Sequence, residues 1–219
     1  MAIAERVAAV RERIAQAAAR AGRDPAAVTL VAVSKTVPAN RVYAAYLTGI
    51  RDFGENRVEE ALAKQGELPS DIAWHMIGHI QSRKARDVVG RFALAHSLDS
   101  LDLAETLQRR AEAAAVRVPV LLEVNVAGEA AKYGFAPADV PAAVGSVSRL
   151  GRLDVCGLMT MAPIVAEPEA ARPVFRALRA LRDRLCAEYP GLALDELSMG
   201  MTDDFEVAIE EGATLVRVG

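Results

Sequence analysis

The chain of 219 residues has only two cysteines and no strong charge of either sign. Cys156 falls inside a strand-like apolar run and Cys186 inside a helix-like one. Two small buried thiols in a reducing cytosol fit that placement better than a disulfide does. A net charge of −3 argues against general nucleic-acid binding, which needs a basic surplus. No apolar run approaches the roughly 20 residues a membrane span requires. The first 22 residues are charged throughout and lack the apolar centre of a signal peptide. These absences lead us to expect a cytoplasmic protein with neither nucleic acid nor membrane as partner. There is also no internal repeat and no low-complexity stretch, so residues 1–219 are expected to form a single domain.

What is present begins with Val28-Thr29-Leu30-Val31-Ala32-Val33-Ser34-Lys35. This apolar, β-branched run reads as a strand buried on both faces, as in parallel sheets. It ends abruptly in a lysine. Pro38 then turns the chain toward a helix. Lys35 thus stands at the carboxyl end of a first strand, where α/β sheets bind ligands. A lysine against apolar backbone sheds its proton more readily than a solvated one, and a neutral amine attacks aldehydes. The plain alternative is a rim lysine that reaches water.

Helices are expected over 2–20, 40–47, 55–65, 82–89, 101–115, 138–150, 169–189 and 203–211. Strands are expected over 28–35, 51–53, 73–77, 92–96, 118–126, 153–159, 192–198 and 214–218. Eight alternating strands and helices in a chain of this length imply an α/β fold, a (β/α)8 TIM barrel with an extra N-terminal helix. A doubly wound open sheet is the alternative. The sequence stops directly after the eighth strand, so the closing C-terminal helix is absent from it, and the leading helix is expected to cover part of the barrel floor or wall.

Two segments at the expected strand ends point to an anion. Ser198-Met199-Gly200-Met201-Thr202 follows strand seven and Arg217-Val218-Gly219 ends strand eight. In barrels those two loops commonly build a phosphate site. Gly200 and Gly219 let backbone N–H groups approach an anion, and Ser198 and Thr202 add hydroxyl donors. The alternative is a plain turn with Thr202 as helix N-cap, and Asp203 and Asp204 suit a helix start. Arg217 alternates with valines and should point into the barrel, either paired with an acid such as Glu123 or Asp195 or donating to a ligand. His75 and His79 resemble half a metal site, but no third ligand is evident, and no metal is expected. The arginines at 172, 176, 179, 182 and 184 read as one solvated helix face.

With these motifs in order, the chain resembles the pyridoxal 5′-phosphate (PLP) homeostasis proteins, a PLP-binding family similar to the barrel domain of alanine racemase. The resemblance covers nearly the whole chain. It rests on Val31-Ala32-Val33-Ser34-Lys35, Phe53-Gly54-Glu55-Asn56, Trp74 to Gln81 with Lys84, Glu123-Val124-Asn125-Val126 with Lys132 and Gly134, Gly157 to Met161, and Ser198 to Asp204 through Gly219. It implies that Lys35 holds PLP as a Schiff base and that Ser198, Gly200 and Gly219 help hold the phosphate, with Met199, Met201 and Thr202 in the same segment. It implies Arg217 against the pyridine nitrogen and Asn56 near the ring. Thr202 stands where the family more often has serine.

An arginine cannot give up its proton, so the ring nitrogen beside it stays unprotonated and is a weak electron sink. The resemblance therefore implies a monomeric, non-catalytic carrier that hands PLP transiently to apo-enzymes. An amino-acid racemase is the alternative, and Tyr133 is the only loop tyrosine near the mouth. A lysine-dependent aldolase on a sugar phosphate is disfavoured, because aldolase lysines usually come from a later strand. Lys132 is a hypothetical second acceptor during transfer, or else a solvated loop lysine.

Overall fold

The computed structural model describes residues 2–129 and 133–219. Eight parallel strands close into a barrel in sequence order. They are β1 (Thr29–Val33), β2 (Asp52–Glu55), β3 (Ala73–Met76), β4 (Leu94–Leu98), β5 (Val118–Glu123), β6 (Leu153–Met159), β7 (Glu196–Ser198) and β8 (Leu215–Val218). Closure is the β1–β8 pairing, with Val31 opposite Arg217. The helices are α1 (Ile3–Arg20), α2 (Ala39–Tyr46), α3 (Val58–Gln65), α4 (Ala85–Val88), α5 (Leu101–Ala114), α6 (Val140–Val147), α7 (Arg172–Glu188) and α8 (Phe205–Glu210). The expected (β/α)8 barrel is therefore the fold, and the open sheet is not.

Several bounds move for physical reasons. Pro38 precedes α2 as its N-cap and does not sit in its first turn. The fourth strand starts at Leu94, because Gly90 turns with positive φ and delays the strand. The seventh keeps only three residues. Residues 82–84 and 168–171 wind as 3-10 turns ahead of α4 and α7, and the second of these carries a proline in its first turn.

Buried apolar side chains form two clusters. One fills the space between barrel and helices, with Phe53, Leu107, Phe175 and Phe205 among its members. The other, Val31, Leu94, Leu121, Met159 and Leu215, lies inside the barrel. The two arise because successive strand residues face opposite sides. Along β1, Leu30 and Ala32 face α1, whereas Val31 and Val33 face inward.

The leading helix α1 is part of the wall. Arg13 binds Glu206 at 2.5 Å and lies over the Phe205 ring, and Arg20 binds Glu210 at 2.7 Å. The arginines of α7 are not a purely solvated face. Arg172, Arg176 and Arg179 converge on Glu211, whose side chain is 5% exposed. Arg182 donates to the backbone carbonyls of Leu194 and Asp195. Cys156 and Cys186 are free thiols, each half-buried, which is less buried than expected.

Candidate functional site

A cavity of about 390 Å3 opens at the carboxyl ends of the strands. Lys35, two residues beyond β1, projects onto it, and its wall includes Asn56, Met201, Thr202, Arg217 and Gly219. Six of the nine expected site residues therefore line one cavity, although they come from both ends of the chain.

The segment carrying Lys35 is held from behind. Thr36 adopts φ +62°, which a β-branched residue avoids. Its N–H donates to Glu60 Oε1 at 2.5 Å. Lys64 on α3 donates to the Ser34 carbonyl, Glu55 and Glu60, each at 2.7 Å. Ser34 Oγ donates to Glu55 Oε1 at 2.6 Å. Such a local strain of about 1–3 kcal/mol persists only when surrounding bonds hold it. Here those bonds fix where the Lys35 side chain starts.

The opposite wall is the β7–β8 end. The N–H groups of Gly200 and Thr202 have no hydrogen-bond partner among the described residues. Thr202 Oγ1 sits between the backbone N–H and carbonyl of Gly219, at 3.2 and 3.1 Å. It is not a helix N-cap. That place belongs to Asp204, whose carboxylate accepts the Met201 N–H at 2.6 Å. Gly200 has φ +92°, and a Cβ there would lie 2.6 Å from Ala208 Cβ. Helix α8 packing thus requires this glycine, in addition to any ligand.

Three expected residues are not on the wall. Ser198 is fully buried, with its Oγ 2.8 Å from His96 Nδ1 and accepting from Arg217 Nη1 at 2.5 Å. Met199 is fully buried in the outer core, and Gly200 faces α8. Inward-facing strand residues alternate, so Ser198 falls inside the barrel and Met199 outside.

Arg217 makes no ion pair among the described residues, with Glu123, Asp195 or any other acid. Its Nη2 donates to the Thr160 carbonyl at 2.9 Å. Burial pulls its guanidinium down to about 10, against the attraction of Asp204 and Glu123. It stays charged at neutral pH. Glu123, also on the wall, is pushed up to about 7 by burial and by Asp99, with Arg217 opposing.

The sequence reading named His79 as half of a metal-like pair and Tyr133 as a loop tyrosine near the mouth, but not that the two meet on the cavity wall. His79 donates its Nδ1–H to the Asp99 carboxylate at 2.7 Å, and its ring stacks on Tyr133 at 3.8 Å. His75 instead turns inward, to His96 at 2.8 Å and Asp52 at 3.0 Å. The two histidines part because an odd strand position faces the interior while His79 lies in the following loop. Lys132 lies outside the described residues.

A second cavity, of about 410 Å3, lies under α1 against Leu30, Ala32 and Val218. Its lining is mostly apolar, with Arg6, Arg13 and Arg41 among it but no lysine, so it offers no amine for a Schiff base.

The N-terminal domain of alanine racemase matches residues 6–219 of this chain. A pyridoxal phosphate homeostasis protein of Pseudomonas aeruginosa is 49% identical over 218 residues, which is 99% of this chain and 93% of that protein. One from Aquifex aeolicus is 46% identical over 98% of this chain and 94% of its own length. PipY of Synechococcus elongatus, solved with PLP bound, is 40% identical, with a TM-score of 0.86 over 99% of this chain and 97% of that one. Alanine racemase of Clostridium difficile is 14% identical at a TM-score of 0.70, over 88% of this chain and 50% of that one, a likeness of fold alone.

Proposed function

The chain belongs to the pyridoxal phosphate homeostasis proteins, and on that premise we propose that it binds PLP as a Schiff base on Lys35. One observation carries the reading. Lys35 and Arg217 line the same cavity, with Thr202 and Gly219 beside them. The residues suit the group. A primary amine lines the cavity, and at the β7–β8 end the N–H groups of Gly200 and Thr202 have no hydrogen-bond partner among the described residues, which leaves them available to an anion. Arg217, a fixed donor, suits the pyridine nitrogen. Asn56 lines the same cavity. When bound, PLP supplies an aldehyde that condenses with amines.

The role that follows is storage and delivery of PLP inside the cell, without turnover. Arg217 keeps the ring nitrogen unprotonated, which weakens carbanion chemistry. The racemase alternative is favoured by one feature, the Asp99–His79 pair stacked on Tyr133 at the wall.

The test is a visible spectrum followed by borohydride reduction and peptide mapping. Label on Lys35 of the wild-type protein supports the reading, and label on another lysine overturns it. Exchange of the alanine α-proton in deuterated water, well above free PLP, would replace the carrier with the racemase.

A further inference from the structure

Barrel interiors of this fold are normally filled by branched aliphatic side chains. Here a polar chain crosses the interior. Asp52 Oδ1 lies 3.0 Å from His75 Nε2, His75 Nδ1 lies 2.8 Å from His96 Nε2, and His96 Nδ1 lies 2.8 Å from Ser198 Oγ. Ser198 Oγ lies 2.5 Å from Arg217 Nη1. The His96–Ser198 step spans the barrel from β4 to β7. His96 and Ser198 are fully buried, and only the Asp52 side chain, at the amino end of β2, reaches solvent appreciably.

The direction of every bond follows from its end. A guanidinium only donates. Ser198 therefore accepts from Arg217 and is left to donate its hydroxyl hydrogen to His96 Nδ1. His96 must then carry its hydrogen on Nε2 and donate to His75 Nδ1. His75 in turn carries its hydrogen on Nε2 and donates to Asp52. All donors and acceptors along the chain are satisfied with both imidazoles neutral. Burial, His75 and Arg217 all hold His96 well below the ordinary histidine range, in keeping with a neutral ring. The aligned bonds turn their negative ends to Arg217 and their positive ends to Asp52, so they favour both charges.

We propose that His96 is a positioning residue for the cofactor site, acting through Ser198 to hold Arg217 in place against the ring nitrogen. Ser198 thereby belongs to the arginine and not to the phosphate cradle. This rests on the PLP reading above. With Nη1 held by Ser198 and Nη2 by the Thr160 carbonyl, the guanidinium plane is fixed at two points. So held, Arg217 lines the cavity.

Two measurements test it. In protein stripped of cofactor, 15N NMR of the histidine rings should show hydrogen on Nε2 of both His75 and His96. An Nδ1 hydrogen on His96 overturns the chain of donors. In loaded protein, Ser198→Ala and His96→Leu should each shift the visible band and weaken PLP binding about tenfold, the scale of one hydrogen bond to a charged group. Pyridoxal, which lacks the phosphate, should weaken by the same factor. His96→Asn, which keeps an acceptor near the Nδ1 position, should recover most of the loss. Loss confined to PLP, with pyridoxal unaffected in Ser198→Ala, would put the serine on the phosphate and overturn the inference. An unmoved band and affinity in all three variants would overturn it too. Should a variant not fold, the wild-type NMR result decides alone. Wild-type protein that takes up no PLP sinks both readings, whereas loaded wild-type protein with the wrong tautomer or the wrong ratio sinks only this one.

Discussion

Lys64, beneath the barrel mouth, and Arg172, on the outer wall, are both ringed by carboxylates. Lys64 binds Glu55 and Glu60, and Arg172 binds Glu169, Glu210 and Glu211. The settings differ in burial and redundancy. Glu55 is fully buried, Lys64 is its one ion-pair partner among the described residues, and its Oε2 has no hydrogen bond there. Glu211 is reached by three arginines, two of them well exposed at 61% and 39%. A buried charge with one partner is hard to lose, whereas a shared, solvated lattice degrades gradually. The first arrangement supports Lys35, and the second joins α7 to α8, with Arg20 tying in α1.

The comparison can be broken most severely at Lys64. Lys64→Met leaves Glu55 charged and buried with only the Ser34 hydroxyl, and should cost about 3–5 kcal/mol in denaturant unfolding. A loss below about 1 kcal/mol would show that the mouth is as tolerant as the wall. Next in size is Glu123, whose raised folded value makes the native state hold a proton that the unfolded chain releases from about 4.5 upward. Stability should therefore fall as pH rises from about 4.5 to 7. Glu123→Gln should stabilise by up to about 3 kcal/mol at pH 8 and by under about 1 kcal/mol at pH 5. A gain that is equal at both values would refute that burden.

On the wall the effects should shrink. For Glu211, burial pushes the carboxyl up, but Arg176 and Arg172 outweigh it and hold it below its usual range. Its contribution is present at neutral pH and fades as pH falls through that lowered value. Glu211→Gln should cost about 1–2 kcal/mol at pH 7, discounted for the solvated partners, and less in acid. Smallest is Arg20→Ala, whose exposed pairs to Glu206 and Glu210 should give a barely resolvable midpoint change that disappears near 1 M salt. A large, salt-resistant change would make the wall the more demanding region.

The cavity wall was legible where a strand end announced it. The apolar run to Lys35 and the Arg217-Val218-Gly219 end both fix side by period-two alternation, and both reach the cavity. Ser198 was read by residue type as an anion donor, although the same alternation turns it inward to His96. Nothing local marks His96 as its partner, since they are 102 positions apart and meet only across the closed barrel. The α7 arginines looked solvated because their partners, Glu210 and Glu211, lie on a different helix.

By itself the sequence determined eight strand–helix units and the placing of one amine at the end of β1, because periodicity and turn residues act over a few positions. The expected burial of β1 on both faces is not met, since only Val31 is buried and Leu30 and Ala32 border the cavity under α1. Only the tertiary structure decided which polar groups meet inside the barrel, that Glu55 needs Lys64, and that α1 forms wall with α8. Those contacts join distant segments, and their energies depend on the low dielectric that closure creates.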